Sequence, residues 1–338
     1  MGVGRYILAR LALTVPMLLI LLSLVFIILR ILPGDPCLAL LGGRNVTPER
    51  LAECRELLGL NRPLVVQYMD YLGSAVRLDF GTSIRTGMPV TEELWLRFPA
   101  TFELALYGML GATALGVASG VYASVRHDRR ADHIVRVVNI ASFSMPIFWI
   151  GLMFLMLFAV RWRLFPAGGR LDPVAAALFT PITNIYTIDT LLRGDLRLFL
   201  SAVHHLVLPA LTLAIVVSGF IGRMTRSSML DVLDREYVTV ARAKGLRERT
   251  VIRRHALANA LIPIVTVVGL QFALLMAGAI LTETVYSWPG IARYLLESIS
   301  SRDFTAIQGA VIFIAFFISA VNLLVDVFYA RLDPRIRF

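Results

Sequence analysis

Six long blocks of apolar residues alternate along this chain with more polar segments. The blocks occupy residues 8–31, 99–125, 134–160, 203–220, 257–281 and 304–330. An α-helix rises about 1.5 Å per residue, so about 20 apolar residues cross the ~30 Å hydrocarbon layer of a membrane. The pattern therefore predicts an all-α membrane protein with six transmembrane helices and with both termini on the same side.

The first block predicts a retained transmembrane helix within residues 1–31. Its apolar run exceeds about 20 residues and ends in Pro33-Gly34-Asp35-Pro36, whereas a signal peptide has a shorter apolar core and a small-residue cleavage site. Composition agrees with a membrane protein, since the 338 residues are 57% hydrophobic and only 17% charged, with a mean hydropathy of +0.74.

The distribution of basic residues predicts the orientation. If the termini are cytoplasmic, the inner segments 1–10, 126–136, 223–254 and 331–338 hold 18 of the 33 basic residues. The outer segments 32–98, 161–202 and 283–304 are about twice as long in total and hold 14. Because basic residues concentrate on the cytoplasmic side of membrane proteins, the net charge of +10 is explained by orientation and requires no nucleic acid partner.

The outer segment 32–98 carries helix signals of its own. Thr47 and Pro48 predict a helix start, Gly59 suits a left-handed residue after its end, and Pro63 opens a second stretch whose Tyr68 and Tyr71 face a neighbouring span or the bilayer surface.

The segment also holds both cysteines, Cys37 and Cys54. A single pair without metal-type spacing favours two buried thiols over a disulfide, although that side of a bacterial membrane is oxidising.

Motifs for energy conversion and catalysis are missing from the sequence. There is no G-x-x-x-x-G-K-[ST] loop, and Lys244, the single lysine, follows Ala243, so the chain has no Walker-type means of holding ATP. The five histidines form no H-E-x-x-H motif, and the spans hold few of the ionisable groups that proton-driven carriers use at membrane depth. We therefore expect no catalytic residue, cofactor or metal here, and an energy source on another chain.

The inner loop 223–260 is the longest and most basic one. Helix-forming residues flank Gly245, whose missing side chain permits a left-handed helix end and a sharp turn. One reading is a short helix that lies across the membrane face, and the other is a basic loop that only sets orientation.

Short motifs occur in order along nearly the whole chain. They are Pro33-Gly34-Asp35-Pro36, Asp79-Phe80-Gly81-Thr82-Ser83, Arg97-Phe98-Pro99-Ala100-Thr101, Ser144-Met145-Pro146-Ile147-Phe148-Trp149, Glu283-Thr284-Val285-Tyr286-Ser287-Trp288-Pro289-Gly290 and Asp333-Pro334-Arg335-Ile336-Arg337. With the run Ala241-Arg242-Ala243-Lys244-Gly245-Leu246 and Pro263, they resemble the permease subunits of bacterial ABC importers in the dipeptide/oligopeptide/nickel group, and most closely the B-type permeases of dipeptide systems. Thr239 and Val240 stand where the general docking-loop motif has Glu-Ala.

The resemblance implies a type I ABC importer permease fold in the bacterial inner membrane. Residues 1–338 would form one permease domain, with a first helix at 1–31, a periplasmic loop at 32–98 and a five-helix core at 99–338. The chain would move dipeptides or short peptides by alternating access. Its expected partners are membrane lipid, a C-type permease, two ABC ATPases that hold ATP and Mg, and a periplasmic peptide-binding protein.

Two sets of residues are the candidate functional sites. In the ATPase-coupling loop, close packing is expected from Ala241, Ala243, Gly245 and Leu246, and orientation from Arg242 and Lys244. The candidate translocation path contains the small or adaptable residues Ser142, Ser144, Met145, Gln271 and Met276, for which helix packing is an alternative role.

Three alternatives remain open at this point. A permease of the same fold for nickel or glutathione would keep the same architecture, a passive channel would leak solute without nucleotide, and a structural membrane subunit would tolerate changes at Gly245.

Overall fold

The structure is a computed structural model and describes residues 3–31, 37–38, 46–57 and 59–332. The motifs Pro33–Pro36 and Asp333–Arg337 lie outside this range. The described residues are helical or irregular, apart from one isolated β-bridge between Thr82 and Pro89. The helices are α1 (Val3–Ile31), α2 (Pro48–Leu57), α3 (Leu64–Arg77), α4 (Val90–Val125), α5 (Arg130–Ser144), α6 (Ile147–Phe154), α7 (Pro173–Leu178), α8 (Tyr186–Leu192), α9 (Leu196–Leu233), α10 (Glu236–Ala243), α11 (Glu248–Thr250), α12 (Ala258–Gly278), α13 (Ile280–Val285), α14 (Ile291–Ser300) and α15 (Phe304–Leu332). π-Helical stretches at Leu155–Arg161 and Val251–Leu257 extend α6 and join α11 to α12.

Four helical segments among the described residues are long and apolar enough to cross a membrane. They are Val90–Val125, Leu196–Leu233, Glu248–Met276 and Phe304–Leu324. A bent pair formed by α5 and α6 gives a fifth crossing if the two helices are counted as one span, and α1 contributes a shorter apolar stretch at Ala12–Ile28. The all-helical membrane class is thus confirmed with four or five crossings, while the count of six and the cytoplasmic termini stay predictions.

The predicted third span is broken, with an angle of 100° between its two parts. Helix α5 ends at Ser144, Met145 adopts an extended backbone with ψ 138°, and Pro146 precedes α6. A residue before proline is pushed out of the α region by the proline ring, so the Met145-Pro146 pair accounts for the break.

The chain forms two compact units. The first comprises Met1–Pro99 and Pro289–Leu323, and the second comprises Ala100–Trp288 and Leu324–Phe338.

In the first unit, the predicted helix signals of the outer segment are confirmed. Helix α2 begins at Pro48, and Gly59 has a φ of +63° beyond its end. Helix α3 follows Pro63 and packs its aromatic residues on α1, where the rings of Tyr68 and Tyr71 lie 5.3 and 5.6 Å from Phe26. The aromatic face of α3 therefore meets a neighbouring helix.

The two cysteines of the first unit form a disulfide, so the expectation of two separate thiols is wrong. Cys37 and Cys54 are both buried, with their Cα atoms 5.8 Å apart. Their separation of 17 residues did not reveal this pairing, because a disulfide depends on the distance between the two Cα atoms in the folded chain and not on sequence spacing.

Buried polar groups tie the start of α4 to α14 and α15 within the first unit. The Tyr294 hydroxyl donates to Glu93 at 2.7 Å, and the Ser83 hydroxyl donates to Asp303 at 2.6 Å. Both carboxylates are buried, and burial raises the pKa of Tyr294 further above its ordinary range. These pairs fix the outer segment to the last two helices.

In the second unit, α4 and α9 approach closely through glycines. A Cβ atom at Gly120 would lie 2.5 Å from Cβ of Thr225, and one at Gly116 would lie 2.7 Å from Cβ of Ile221. Small residues allow membrane helices to pack at short range, and no larger side chain has room here.

One end of the second unit is organised around a buried ion pair. Arg170 donates to Glu103 at 2.5 Å, and the backbone N–H of Thr187 donates to the same carboxylate at 2.8 Å. The Arg170 guanidinium also lies 3.6 Å from the ring centroid of Tyr186. Paired in this way, the two buried charges hold the loop before α9 against α4.

Candidate functional site

The predicted inner loop folds into a short helix, α10, with one buried face. Val238 and Ala241 of α10 pack against Val251, and all three are nearly or fully buried. Val232 and Leu233 at the end of α9 complete this cluster. The spacing of three between Val238 and Ala241 puts both side chains on one side of the helix. Helix α10 is therefore seated on the protein and is more than a solvated basic loop.

Gly245 ends α10 as the sequence predicts. Its φ is +75°, its N–H donates to the carbonyl of Arg242 at 2.9 Å, and the N–H of Leu246 donates to the carbonyl of Ala241 at 3.4 Å. This pair of hydrogen bonds is the Schellman motif, which satisfies carbonyl groups that a helix end otherwise leaves free. The turn thus requires a left-handed residue at position 245.

An ion pair closes the loop after the turn. Nη2 of Arg242 lies 2.8 Å from Oε1 of Glu248, and Nε of Arg242 lies 3.2 Å from Oε2. Hydrogen bonding to the Glu248 carboxylate raises the pKa of the Arg242 guanidinium. Both side chains are about half exposed, so the pair contributes at most about 1 kcal/mol.

The structure divides the predicted coupling residues into two groups. Ala241 is 5% exposed and packs inward, and Arg242 is engaged by Glu248 within the loop. Four residues remain exposed, namely Ala243, Lys244, Gly245 and Leu246.

Two apolar side chains on the exposed side of α10 were not predicted as functional residues. Tyr237 is 44% exposed and Val240 is 50% exposed, beside a Leu246 that is 41% exposed. Their signal was present in the sequence, because residues 237 and 240 are three apart and so lie on one side of the helix. The result is an apolar surface on the inner loop, which we call the α10 outer face and define as Tyr237, Val240 and Leu246.

The candidate path residues occupy two separate helices. Ser142 is half-buried on α5, and Ser144 and Met145 are exposed at the break before α6. On α12, Gln271 is half-buried, whereas Met276 is only 6% exposed and packs inside the second unit.

The described residues offer one group of potential metal-ligating side chains, His127, Asp128 and Asp132. Asp132 is already held by Arg226, with Nε and Nη2 at 2.6 and 2.7 Å from its two oxygens. Because a metal ion would have to displace this two-point ion pair, the group does not suit one.

The long apolar helices define an integral membrane protein, and α10 is a short exposed helix that ends in a glycine turn. The family model of binding-protein-dependent transport system inner membrane components matches residues 112–338, and the model of the N-terminal part of such components matches residues 3–105. The chain belongs to this family, which confirms the resemblance seen in its motifs and the assignment to the inner membrane.

Similar proteins align along nearly the full length. The dipeptide transport system permease protein DppB of Escherichia coli (strain K12) is 44% identical over 334 residues, which cover 98% of each chain. The di/tripeptide transport system permease protein DppB of Pseudomonas aeruginosa (strain UCBPP-PA14) is 44% identical over 332 residues, again 98% of each chain. The glutathione transport system permease protein GsiC of Salmonella choleraesuis (strain SC-B67) is 36% identical over 334 residues and 99% of each chain. This chain is accordingly a membrane permease subunit and not an enzyme.

Proposed function

We propose that this chain is the B-type permease subunit of an ATP-driven importer that moves dipeptides or short peptides across the inner membrane. The observation that carries the proposal is the 44% identity to dipeptide permeases over 98% of the chain. The lower identity of 36% to a glutathione permease makes glutathione the second candidate substrate. Dipeptides are therefore the first substrate class to test.

The proposed topology has six spans and cytoplasmic termini in a type I importer fold. Four or five crossings and the basic inner segments support it. The proposed assembly contains a C-type permease, two ATPases that hold ATP and Mg, and a periplasmic binding protein that delivers the peptide. The disulfide of Cys37 and Cys54 supports an outer position for the segment 32–98, because such bonds persist in oxidising compartments.

In this assembly, α10 transmits the motion of the ATPases. The α10 outer face docks in a cleft of an ATPase through Tyr237, Val240 and Leu246, and Lys244 orients the contact. The buried face with Val238 and Val251 ties α10 to the chain that leads into α12. A displacement of α10 is thereby passed to a membrane-spanning helix, and alternating access follows from the change in its position.

The first test is purification of the chain from its native membrane in mild detergent, with the partners identified by mass spectrometry. We expect a second permease and two ATPases to be recovered with it. A stable chain without an ATPase would contradict the docking role of α10 and favour a passive channel.

A second test uses two matched variants that each add one carboxylate. Val240→Glu places it on the α10 outer face, and Arg129→Glu places it at an exposed position in the other predicted inner loop. We expect Val240→Glu to lose most of the bound ATPase and of the dipeptide uptake, and Arg129→Glu to retain both. Uptake of glutathione or Ni²⁺ but not of Ala-Ala by the wild-type complex would contradict the substrate assignment alone.

A further inference from the structure

A basic cleft lies between α5 and α9 in the second unit. Its cavity of about 470 Å³ is lined by Arg136, Asn139 and Phe143 of α5 and by Arg223 and Arg226 of α9. Within each helix these residues are three or four positions apart, so they share the face that looks into the cleft. Three guanidinium groups therefore converge on a space large enough for a small molecule or a lipid headgroup.

The cleft has an excess of positive charge. Arg226 is neutralised by Asp132, whose oxygens it binds at 2.6 and 2.7 Å. Nε of Arg136 is farther from the same carboxylate, at 3.8 Å, and the His133 ring that contacts Arg136 brings no negative charge. Arg223 has no carboxylate partner among the residues that the structure describes. Asp132 and, at longer range, Asp128 offset the charge of Arg226, so Arg136 and Arg223 supply the positive charge that faces a ligand.

Arg223 is held in place by aromatic rings. Its guanidinium carbon lies 5.5 Å from the ring centroid of Phe143 and 5.3 Å from that of Phe220. Cation–π contacts of this kind fix the direction of the side chain but leave the N–H groups free to donate to an anion. The direction of the Arg223 side chain is therefore fixed, while its N–H groups remain available to donate hydrogen bonds to a ligand.

Asn139 and Arg136 are also polar lining residues with donors that the chain leaves available. Asn139 is only 8% exposed, it lines the cleft, and its side-chain amide makes no hydrogen bond within the described part of the chain. Its position is enforced, because a Cβ atom at Gly222 would lie 2.5 Å from Nδ2 of Asn139. The cleft also holds a buried polar atom without a hydrogen-bond partner, Nε of Arg136, and leaving such an atom unpaired is costly unless a ligand accepts its N–H.

We propose that the cleft binds the phosphate of an anionic phospholipid, with Arg136 and Arg223 donating to phosphate oxygens and Asn139 donating from its amide. The location favours a lipid, since the cleft lies where α9 enters the basic inner loop. On the proposed topology this is the level of the cytoplasmic leaflet, whose anionic lipids bind basic pockets between membrane helices. The orientation rests on the proposed function, but the binding itself does not require transport.

The test is lipid binding to the full chain in mild detergent, measured by native mass spectrometry with added phosphatidylglycerol or phosphatidylcholine. Arg136→Gln and Arg223→Gln each remove one cleft charge, and Arg235→Gln removes one exposed charge of the inner loop outside the cleft. We expect tighter binding of phosphatidylglycerol than of phosphatidylcholine. Each cleft variant should weaken phosphatidylglycerol binding about tenfold, the loss of one charge-assisted hydrogen bond, whereas Arg235→Gln should change it less than about twofold.

Circular dichroism and size-exclusion chromatography establish that the variants are folded. Arg223 is exposed and contacts no carboxylate in the described part of the chain, so Arg223→Gln keeps the test decisive if Arg136→Gln is unstable. Equal binding of the two lipids, or unchanged phosphatidylglycerol binding by a variant that carries both Arg136→Gln and Arg223→Gln, overturns the proposal. Loss of lipid binding with normal peptide uptake leaves the proposed function intact, so failures of the two proposals are distinguishable.

Competitors identify the source of the anion. Inorganic phosphate should displace phosphatidylglycerol only in large excess, because the acyl chains add to lipid affinity; displacement at equal concentration overturns the lipid assignment. Ala-Ala should not displace the lipid. Displacement by Ala-Ala but not by its C-terminal amide would show that the cleft receives a peptide carboxylate instead.

Discussion

The turn at Gly245 provides a graded test of the coupling role of α10. Its φ of +75° is a left-handed conformation, and a Cβ atom built there meets nothing within 4 Å. A substitution therefore acts through the backbone alone. An L-residue in this conformation costs about 1–2 kcal/mol, asparagine costs less, and a β-branched residue lies at the upper end. Proline also removes the N–H that donates to Arg242 and cannot adopt a positive φ, so its cost is about 3 kcal/mol or more.

These free-energy costs predict how strongly each substitution uncouples dipeptide uptake from ATP hydrolysis. A loss of about 2 kcal/mol lowers the ratio of formed to unformed turn about thirtyfold. We expect dipeptide uptake per ATP hydrolysed to fall in the order wild type, Gly245→Asn, Gly245→Ala, Gly245→Val and Gly245→Pro.

The assay compares ATP hydrolysis and dipeptide uptake in proteoliposomes that contain the complete importer. All variants should insert into the membrane in normal amounts, because the turn lies outside the spans. Wild-type coupling in Gly245→Pro would refute the reasoning, and would favour a merely structural role for the inner loop. An equal loss of dipeptide uptake per ATP in Gly245→Asn and Gly245→Pro would show that the side chain, and not the backbone, matters at this position.

Three further predictions test the packing. Gly120→Leu should sharply lower the Tm and the yield of folded protein, because α9 leaves no room for a side chain, whereas Gly73→Ala on α3, with open space around it, should be tolerated. Cys54→Ser should lower the unfolding free energy by about 3 kcal/mol, because the bond to Cys37 is lost. The variant should have a lower Tm than the wild type, and reductant should not change that Tm further. Labelling of the two thiols in the unreduced wild type would contradict the disulfide. Arg170→Leu leaves a buried carboxylate unpaired and should cost about 3–5 kcal/mol in denaturant unfolding, and a change below about 1 kcal/mol would contradict the buried pair.

Features encoded by local sequence were predictable. The apolar blocks located the long helices, Pro48 and Pro63 marked helix starts in the outer segment, and Gly245 marked the end of α10. Each depends on hydrophobic length or on the backbone preference of one residue, so no knowledge of the tertiary structure was needed.

Features that depend on contacts formed only after the chain reverses direction were not predictable. Ala241 was expected to contact an ATPase, but it faces Val251, which the turn brings back beneath α10. Arg242 was likewise assigned to a partner, although Glu248 lies within reach once Gly245 reverses the chain. The periodicity of α10 puts Tyr237 and Val240 on one side of the helix, but only the packing of Val251 shows which side is buried.

Substitutions on the two faces of α10 should impair the importer in different ways. Val238 is fully buried against Val251, so Val238→Ala leaves a cavity that costs roughly 1–3 kcal/mol and loosens the seat of α10. Val240 is 50% exposed, so Val240→Ala removes contact area from the docking surface and little internal packing. We expect Val238→Ala to retain the ATPase while dipeptide uptake per ATP falls, because a loosened helix transmits less of the ATPase motion. Val240→Ala should instead weaken ATPase binding while uptake per bound ATPase is preserved. If both variants lose ATPase to the same extent, α10 serves for attachment alone, and the transmission of motion must run through another part of the inner surface.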